Sequence, residues 1–162
     1  MNNKNKIIQY NQLFKVISLV KKTNKTIVLV TGVFDLLHQG HIKFLQKAQI
    51  LGDILLVGLE SDERVKQIKG SNRPIEDIGK RIENIIQLPF VDFALALPSN
   101  FDSIERERFI CIVKPDILAV SSHTQHLDKK REIIEKYRGK LIVVMKRDNK
   151  YSTTQIIKNS KY

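Results

Sequence analysis

The sequence has few of the residues that build disulfides, rigid linkers or membrane spans. Its 162 residues include one cysteine, Cys111, four prolines and no tryptophan. A single cysteine excludes an intrachain disulfide, and its apolar neighbours predict that Cys111 is a small buried hydrophobe. The apolar runs are too short to span a bilayer, and no long apolar segment follows the N-terminus. We therefore expect neither a membrane anchor nor a secretory signal, and we expect a cytoplasmic location.

Acidic residues are also scarce beside basic ones, at 17 against 28, which gives a net charge of +11. Such a surplus attracts anions, and nucleic acids, nucleotides and sugar phosphates are the candidates. The aromatic residues are not interleaved with the basic ones in the way that base stacking requires. A basic nucleic-acid-binding module, whose affinity falls steeply with salt, is therefore the less favoured alternative.

Five short segments rich in valine, isoleucine and leucine alternate with longer amphipathic segments. The short segments are apolar on both faces, which is typical of parallel strands covered by helices. We predict strands at residues 26–33, 53–59, 91–97, 116–120 and 140–145. We predict helices at residues 10–22, 41–51, 75–88, 101–113 and 127–137, with a short final helix from Ser152. The alternation indicates an α/β fold, a Rossmann-like, doubly wound sheet of five parallel strands with helices on both faces, in one domain over residues 1–162.

The first predicted strand leads into the turn TGVFDLLHQGH at residues 31–41. Gly32 permits a close backbone approach, Asp35 can bind backbone amides, and Gly40 stands just before a helix N-terminus. His38 and His41 are expected to project toward one site. Three interpretations remain: an anion site, which needs only the residues present and is favoured; a zinc site that recruits His123 or His126; and plain packing.

The run G-V-F-D-L-L-H-Q-G-H resembles the H-x-G-H signature of the nucleotidyltransferase superfamily, in its cytidylyltransferase-like branch. The resemblance implies that an acceptor phosphate attacks the α-phosphate of a nucleoside triphosphate and that pyrophosphate leaves. It also implies that His38 and His41 donate hydrogen bonds to the α-phosphate in its transition state. The residues that it implies for nucleotide binding in this turn are Gly32, Val33, Phe34, Asp35 and Gly40.

Two further loops match the same family. K-G-S-N-R-P-I at residues 69–75 implies that Lys69 neutralises triphosphate charge and that Arg73 and the downstream Arg81 contact phosphates or the acceptor. Y-S-T-T-Q-I-I near the C-terminus is a helix-cap pattern in its own right. The resemblance adds that this segment closes over the triphosphate, through Arg147, Tyr151, Ser152, Thr153 and Thr154.

Within this superfamily the chain looks most like the adenylyltransferases of ADP-heptose synthesis, which act on a heptose 1-phosphate. That likeness implies ATP with Mg²⁺, no metal ion held by protein side chains alone, and a homodimer. Glycerol-3-phosphate cytidylyltransferase with CTP is an alternative, although its arginine before the third strand is replaced here by Pro89. FMN adenylyltransferase is another.

The loop after the fourth predicted strand departs from the family pattern. The sequence there is S-S-H-T-Q-H at residues 121–126, without the glycine and aspartate that similar enzymes have. Ser121, Ser122 and His123 are candidate substrate contacts. Because this loop is unusual, the phosphorylated acceptor stays open, and another sugar phosphate or a polyol phosphate is compatible with the sequence.

Overall fold

The five predicted strands form one parallel sheet. The computed structural model describes residues 3–146, with side chains from residue 5 onward. The predicted final helix and the predicted contacts of Arg147, Tyr151, Ser152, Thr153 and Thr154 lie outside the described residues. The strands are β1 (Ile27–Gly32), β2 (Ile54–Leu59), β3 (Phe93–Ala96), β4 (Ile117–Ser121) and β5 (Lys140–Met145), in the order β3-β2-β1-β4-β5. This arrangement confirms the predicted Rossmann-like α/β fold.

Helices cover both faces of the sheet, and each face has its own apolar core. Residues of the helices at 13–21, 103–113 and 127–136 pack in one core, and residues of the helices at 39–49 and 78–86 pack in the other. The helices are α1 (Leu13–Lys21), α2 (Gln39–Gln49), α3 (Asp62–Lys69), α4 (Ile78–Ile86), α5 (Ser103–Val113) and α6 (Leu127–Lys136). Within residues 3–146 no helix is both long enough and apolar enough to cross a membrane.

Two predicted helices begin later than the sequence pattern suggested, because a carboxylate caps each of them. α4 starts at Ile78 rather than at residue 75, since the Asp77 side chain accepts a hydrogen bond from the Lys80 amide at 2.8 Å. α5 starts at Ser103, since Asp102 accepts hydrogen bonds from two first-turn amides. An N-cap of this kind is worth about 1 kcal/mol.

Cys111 corrects one prediction, because it is exposed rather than buried. Helix α5 buries Phe109, Ile110 and Val113. Cys111 lies between them in sequence but falls on the solvent side of the helix, since consecutive positions of an α-helix point in different directions.

The strand order places the switch point of the sheet at β1. From β1 the chain continues to β2 and β3 on one side, and it later returns to place β4 and β5 on the other side. Ligands of open α/β sheets bind outside the carboxyl ends of the strands at such a point. The loops that follow β1, β2 and β4 therefore frame the candidate site.

Candidate active site

His38 forms the N-cap of α2, so the helix begins before His41 rather than at it. The Nδ1 atom of His38 accepts hydrogen bonds from the Gly40 amide at 3.1 Å and from the His41 amide at 3.4 Å. In a neutral imidazole one nitrogen accepts and the other carries the hydrogen. The cap therefore leaves Nε2–H of His38 as the donor for a ligand. It also occupies the Gly40 and His41 amides, so the imidazoles rather than these two amides are the donors that remain.

His41 stacks on His38 and is held in a low-dielectric environment. The two ring centroids are 3.7 Å apart with an interplanar angle of 18°. Burial, together with the charges of His38 and Lys69, lowers the pKa of His41 to about 3, and the charge of Asp35 opposes this shift. Burial also lowers the pKa of His38. Both rings are thus neutral near pH 7 and can donate hydrogen bonds without carrying charge.

Plain packing does not account for the whole environment of His41. The edge of the Phe34 ring lies against His41 at 5.3 Å between centroids. The Nδ1 atom of His41 is nevertheless buried without a hydrogen-bond partner among the described residues. Since buried polar groups are nearly always hydrogen-bonded, a nitrogen in this state indicates a place for a ligand or a water molecule.

The loop before His38 has a strained backbone. Phe34 and Leu36 have positive φ values of 52° and 51°, a region that bulky side chains avoid. The Phe34 ring covers Gly32, where a Cβ atom would stand 2.8 Å from Cε2 of that ring. Strain of this kind costs about 1–3 kcal/mol per residue and is typical of functional sites. It turns the backbone so that Asp35, between the two strained residues, points into the protein.

Asp35 joins the histidine turn to the loop between α3 and α4. Its carboxylate accepts hydrogen bonds from the Ile75 amide at 3.0 Å and from the Glu76 amide at 3.0 Å. It also forms a 2.6 Å ion pair with Arg73, and the Asp35 side chain is 1% exposed. The expected amide contacts of Asp35 therefore exist, and those with Ile75 and Glu76 reach a second loop forty residues away.

Lys69 is the last residue of α3 and lies near enough to His41 for its charge to act on that ring. Partial desolvation lowers its pKa although the residue is exposed overall; the charges of Arg73 and Arg81 add to this effect and Asp35 opposes it. The charge of Lys69 in turn acts on His41. The structure thus brings Lys69 and Arg73 near the histidine turn, while their roles in binding and catalysis stay predictions. Gly70 follows with a φ of 98°, which favours glycine at the turn that ends the helix.

The structure does not support the predicted substrate contact of Arg81, because this side chain is buried and bonded within the protein. Its side chain has 0% exposure. The guanidinium donates hydrogen bonds to the carbonyl oxygens of Val33, Glu60 and Glu76 at 2.7, 2.9 and 3.0 Å, and it pairs with Asp62 at 2.6 Å. Arg81 therefore connects the segments that follow β1 and β2 with the N-terminal end of α4.

The loop after β4 lies at the same edge of the sheet. The Ser122 amide donates to the Met145 carbonyl at 3.0 Å, and the hydroxyls of Ser121 and Thr124 are 3.4 Å apart. Ser122 and His123 are exposed at the surface. Substrate contact by Ser121, Ser122 and His123 stays a prediction. Within the described part of the chain, no three histidine, cysteine, aspartate or glutamate side chains are grouped to hold a metal ion, so the zinc alternative gains no support.

The sequence interpretation missed Glu60, which directly follows β2. The residue is 9% exposed, and its Oε2 atom is buried without a hydrogen-bond partner among the described residues. The available signal was a lone carboxylate placed straight after an apolar strand, at the end of the sheet where ligands bind.

Comparison with known proteins agrees with this geometry. Residues 29–159 match the family model described as cytidylyltransferase-like. The chain is 37% identical over 153 residues to the bifunctional protein HldE of Geotalea uraniireducens, covering 94% of this chain and 30% of that protein. It is 42% identical over 113 residues to the HldE of Campylobacter fetus, covering 70% of this chain and 23% of that protein. The chain thus spans less than a third of the length of these curated relatives.

Two solved structures resemble the fold. The lipopolysaccharide core biosynthesis protein from Thermoplasma volcanium superposes with a TM-score of 0.61 and 30% identity, over 79% of this chain and 99% of that one. The pantoate-beta-alanine ligase of Francisella tularensis gives a TM-score of 0.66 at 16% identity, over 93% of this chain and 75% of that one, and shows the fold alone. Together with the histidine turn, the family match identifies the chain as a member of the cytidylyltransferase-like family of nucleotidyltransferases.

Proposed function

We propose that the protein transfers AMP from ATP to a phosphorylated sugar similar to heptose 1-phosphate and releases pyrophosphate. The observation that carries the proposal is the pair of stacked, neutral histidines at the start of α2, with the charge of Lys69 beside them. The likeness to HldE proteins and to a lipopolysaccharide core biosynthesis protein supports a sugar phosphate as the acceptor.

The reaction forms one bond and breaks one bond at the α-phosphorus. A phosphate oxygen of the acceptor attacks, the bond to the β-phosphate bridging oxygen breaks, and pyrophosphate leaves with the electron pair. Nε2–H of His38 and one ring N–H of His41 donate to the α-phosphate oxygens, where negative charge increases in the transition state. A preorganised donor of this kind is typically worth about 10²–10³ in rate.

Lys69 supports the leaving group rather than the attacking group. Its charge acts on His41, the ring that donates to the α-phosphate in this proposal. A positive charge there offsets the charge that builds on pyrophosphate as the bond breaks. Arg73 holds Asp35 in place through the 2.6 Å ion pair and keeps the Lys69 loop next to the histidine turn.

Magnesium enters as part of the substrate in this proposal. The described side chains offer no group of three ligating residues for a resident ion. Mg²⁺ is commonly held by substrate phosphates and waters. Magnesium–ATP is therefore the nucleotide substrate in this proposal. The closure of the C-terminal segment over the triphosphate, and a homodimer, are further parts of the proposal that rest on the resemblance.

The test is a pyrophosphate-release assay with ATP or CTP against heptose 1-phosphate, glycerol 3-phosphate and FMN. We expect release with ATP and heptose 1-phosphate and little with the other pairs. His41→Ala should lower turnover by about 10²-fold or more. Lys69→Ala should act in the same direction, while Lys66→Ala, an exposed lysine on the same helix, serves as the matched control. Release with CTP and glycerol 3-phosphate instead would replace the proposed substrates, and full activity of His41→Ala would refute the mechanism.

A further inference from the structure

Glu60 occupies an unusual position next to the histidine turn. Its amide donates to the Gly32 carbonyl at 2.9 Å, and its own carbonyl accepts from Arg81 at 2.9 Å. The side chain is 9% exposed, yet Oε2 has no hydrogen-bond partner among the described residues. A carboxylate oxygen left unpaired in a buried place is destabilising, so its presence calls for a ligand or a structural reason.

Three cationic side chains from three different helices lie near enough to Glu60 for their charges to act on its carboxyl. Arg64 comes from α3, Arg106 from α5 and Lys130 from α6, and the charges of all three act on the Glu60 carboxyl. Burial raises the pKa of Glu60, and the three cations oppose that rise. We call these four residues the Glu60 cluster. None of the three cations forms an ion pair within 4 Å with a described residue, and Arg81 adds a fourth positive charge that acts on the same carboxyl.

The positive charges of the cluster outnumber its single carboxylate, Glu60. Burial and then the charge of Arg106 lower the pKa of Lys130 to about 8, with Glu60 opposing. The guanidinium of Arg106 is held 4.9 Å from the centroid of the Phe101 ring, and Phe101 is fully buried. Crowded cations that are partly desolvated and fixed by packing favour an anion, with which charge-assisted hydrogen bonds form.

Arg81 links the Glu60 cluster to the histidine turn. Arg81 contacts the Val33 carbonyl of the histidine turn and the Glu60 carbonyl, and its charge acts on both Lys69 and Glu60. Two separate groups of cations, Lys69 with Arg73 and the Glu60 cluster, are thus linked through Arg81. In an in-line displacement the attacking and leaving groups lie on opposite sides of the reacting phosphorus, so two phosphate-binding groups are what nucleotidyl transfer to a phosphate requires.

We propose that the Glu60 cluster is the acceptor site, where Arg106 and Lys130 hold the acceptor's phosphate and Glu60 Oε2 accepts a hydrogen bond from one of its hydroxyl groups. The ligand class is a phosphorylated polyol or sugar. The assignment of the phosphate as the attacking group rests on the proposed nucleotidyl transfer, while the binding of a phosphorylated polyol does not. Arg64, at the edge of the cluster with its Nη1 on Gln67 at 3.2 Å, adds charge without needing to touch the ligand.

The first experiment measures binding without catalysis. Calorimetric titration with glycerol 3-phosphate, heptose 1-phosphate and inorganic phosphate is compared for the unaltered protein, Lys130→Ala and the matched control Lys129→Ala, an exposed lysine on the same helix. We expect Lys130→Ala to weaken the binding of at least one phosphorylated polyol by about tenfold or more, and Lys129→Ala to leave it unchanged. Equal effects of the two variants, or no binding of any probe, would overturn the site.

The second experiment separates a ligand contact from a structural role. Glu60→Gln keeps the shape of the side chain, and Glu63→Gln, on the exposed surface of α3, is its control. We expect Glu60→Gln to raise KM for the polyol phosphate while KM for ATP and the melting temperature stay within error. A Glu60→Gln variant that only melts lower, with both KM values unchanged, would show that Glu60 merely balances the cations and would overturn the proposal. If no pyrophosphate is released with any acceptor while the binding results hold, the transfer reaction fails and the site stands.

Discussion

Removal of the Arg81 guanidinium should destabilise the whole protein rather than weaken one substrate contact. In Arg81→Met the side chain keeps most of its volume, but three carbonyl groups and Asp62 lose their partner. Removing one member of a buried ion pair costs about 3–5 kcal/mol. Because Asp62 is 25% exposed, part of its charge is recovered by water, and we expect about 4 kcal/mol in total.

The assay is thermal unfolding together with urea denaturation. For a chain of this size about 1 kcal/mol shifts the melting temperature by about 2–4 °C, so Arg81→Met should melt about 8–16 °C lower. Arg81→Lys retains the charge and one or two of the hydrogen bonds. Its melting temperature should therefore lie between those of Arg81→Met and the unaltered protein. The matched control is Arg108→Met, since Arg108 is 71% exposed and has one long ion pair of 3.5 Å with Glu105. It should change the free energy of unfolding by less than about 0.5 kcal/mol.

One result would refute the reasoning. If Arg81→Met melted with the unaltered protein but had a higher KM for ATP or for the acceptor, the guanidinium would be a ligand contact. The buried hydrogen bonds would then carry little net energy, and the original substrate-binding prediction would be restored.

Three further predictions concern the histidine turn. His41 stays unprotonated in the folded protein down to a pH of about 3, whereas it binds a proton below about 6.5 in the unfolded chain. The free energy of unfolding should therefore fall as the pH drops through that range. His41→Asn should make this fall smaller, and urea titrations at several pH values will measure it. Gly32→Ala places a Cβ atom 2.8 Å from the Phe34 ring and should cost about 1–3 kcal/mol, so an unchanged melting temperature would contradict the tight contact. Asp35→Asn removes the charge paired with Arg73 and should cost about 3 kcal/mol in urea denaturation while it lowers turnover; wild-type turnover in that variant would separate the Asp35 contacts from the reaction.

Sequence reasoning succeeded where the determining interactions are local or periodic. The strands were predicted because their residues are apolar on both faces, and the four residues at the start of β1 are indeed fully buried. His38 and His41 were placed together because they are three residues apart at a helix start. The helix ends were missed by a few residues, because Asp77 and Asp102 act as caps only once the neighbouring backbone is in place.

The failures involve contacts between residues far apart in the chain. In the sequence, Arg81 is an ordinary polar position on an amphipathic helix. The neighbouring residues give no sign that the carbonyls of Val33 and Glu60 converge on its side chain. Glu60 was overlooked for the same reason, since the three cations around it come from three helices. Strand order, likewise, follows from crossovers that place β4 beside β1, which a one-dimensional pattern does not encode.

The two roles of the His38 side chain restrict which residues can replace it during evolution. One nitrogen caps α2 and the other is left for a ligand, so two selective pressures act on one ring. A lineage that abandoned the transfer reaction would still need the cap, and asparagine, serine and aspartate supply it well. We expect paralogues with one of these residues at the position of His38 to be folded but inactive, and expression with a pyrophosphate assay will check this. The loss of activity would then be recognisable from the residue at this position, in a sequence that is otherwise intact.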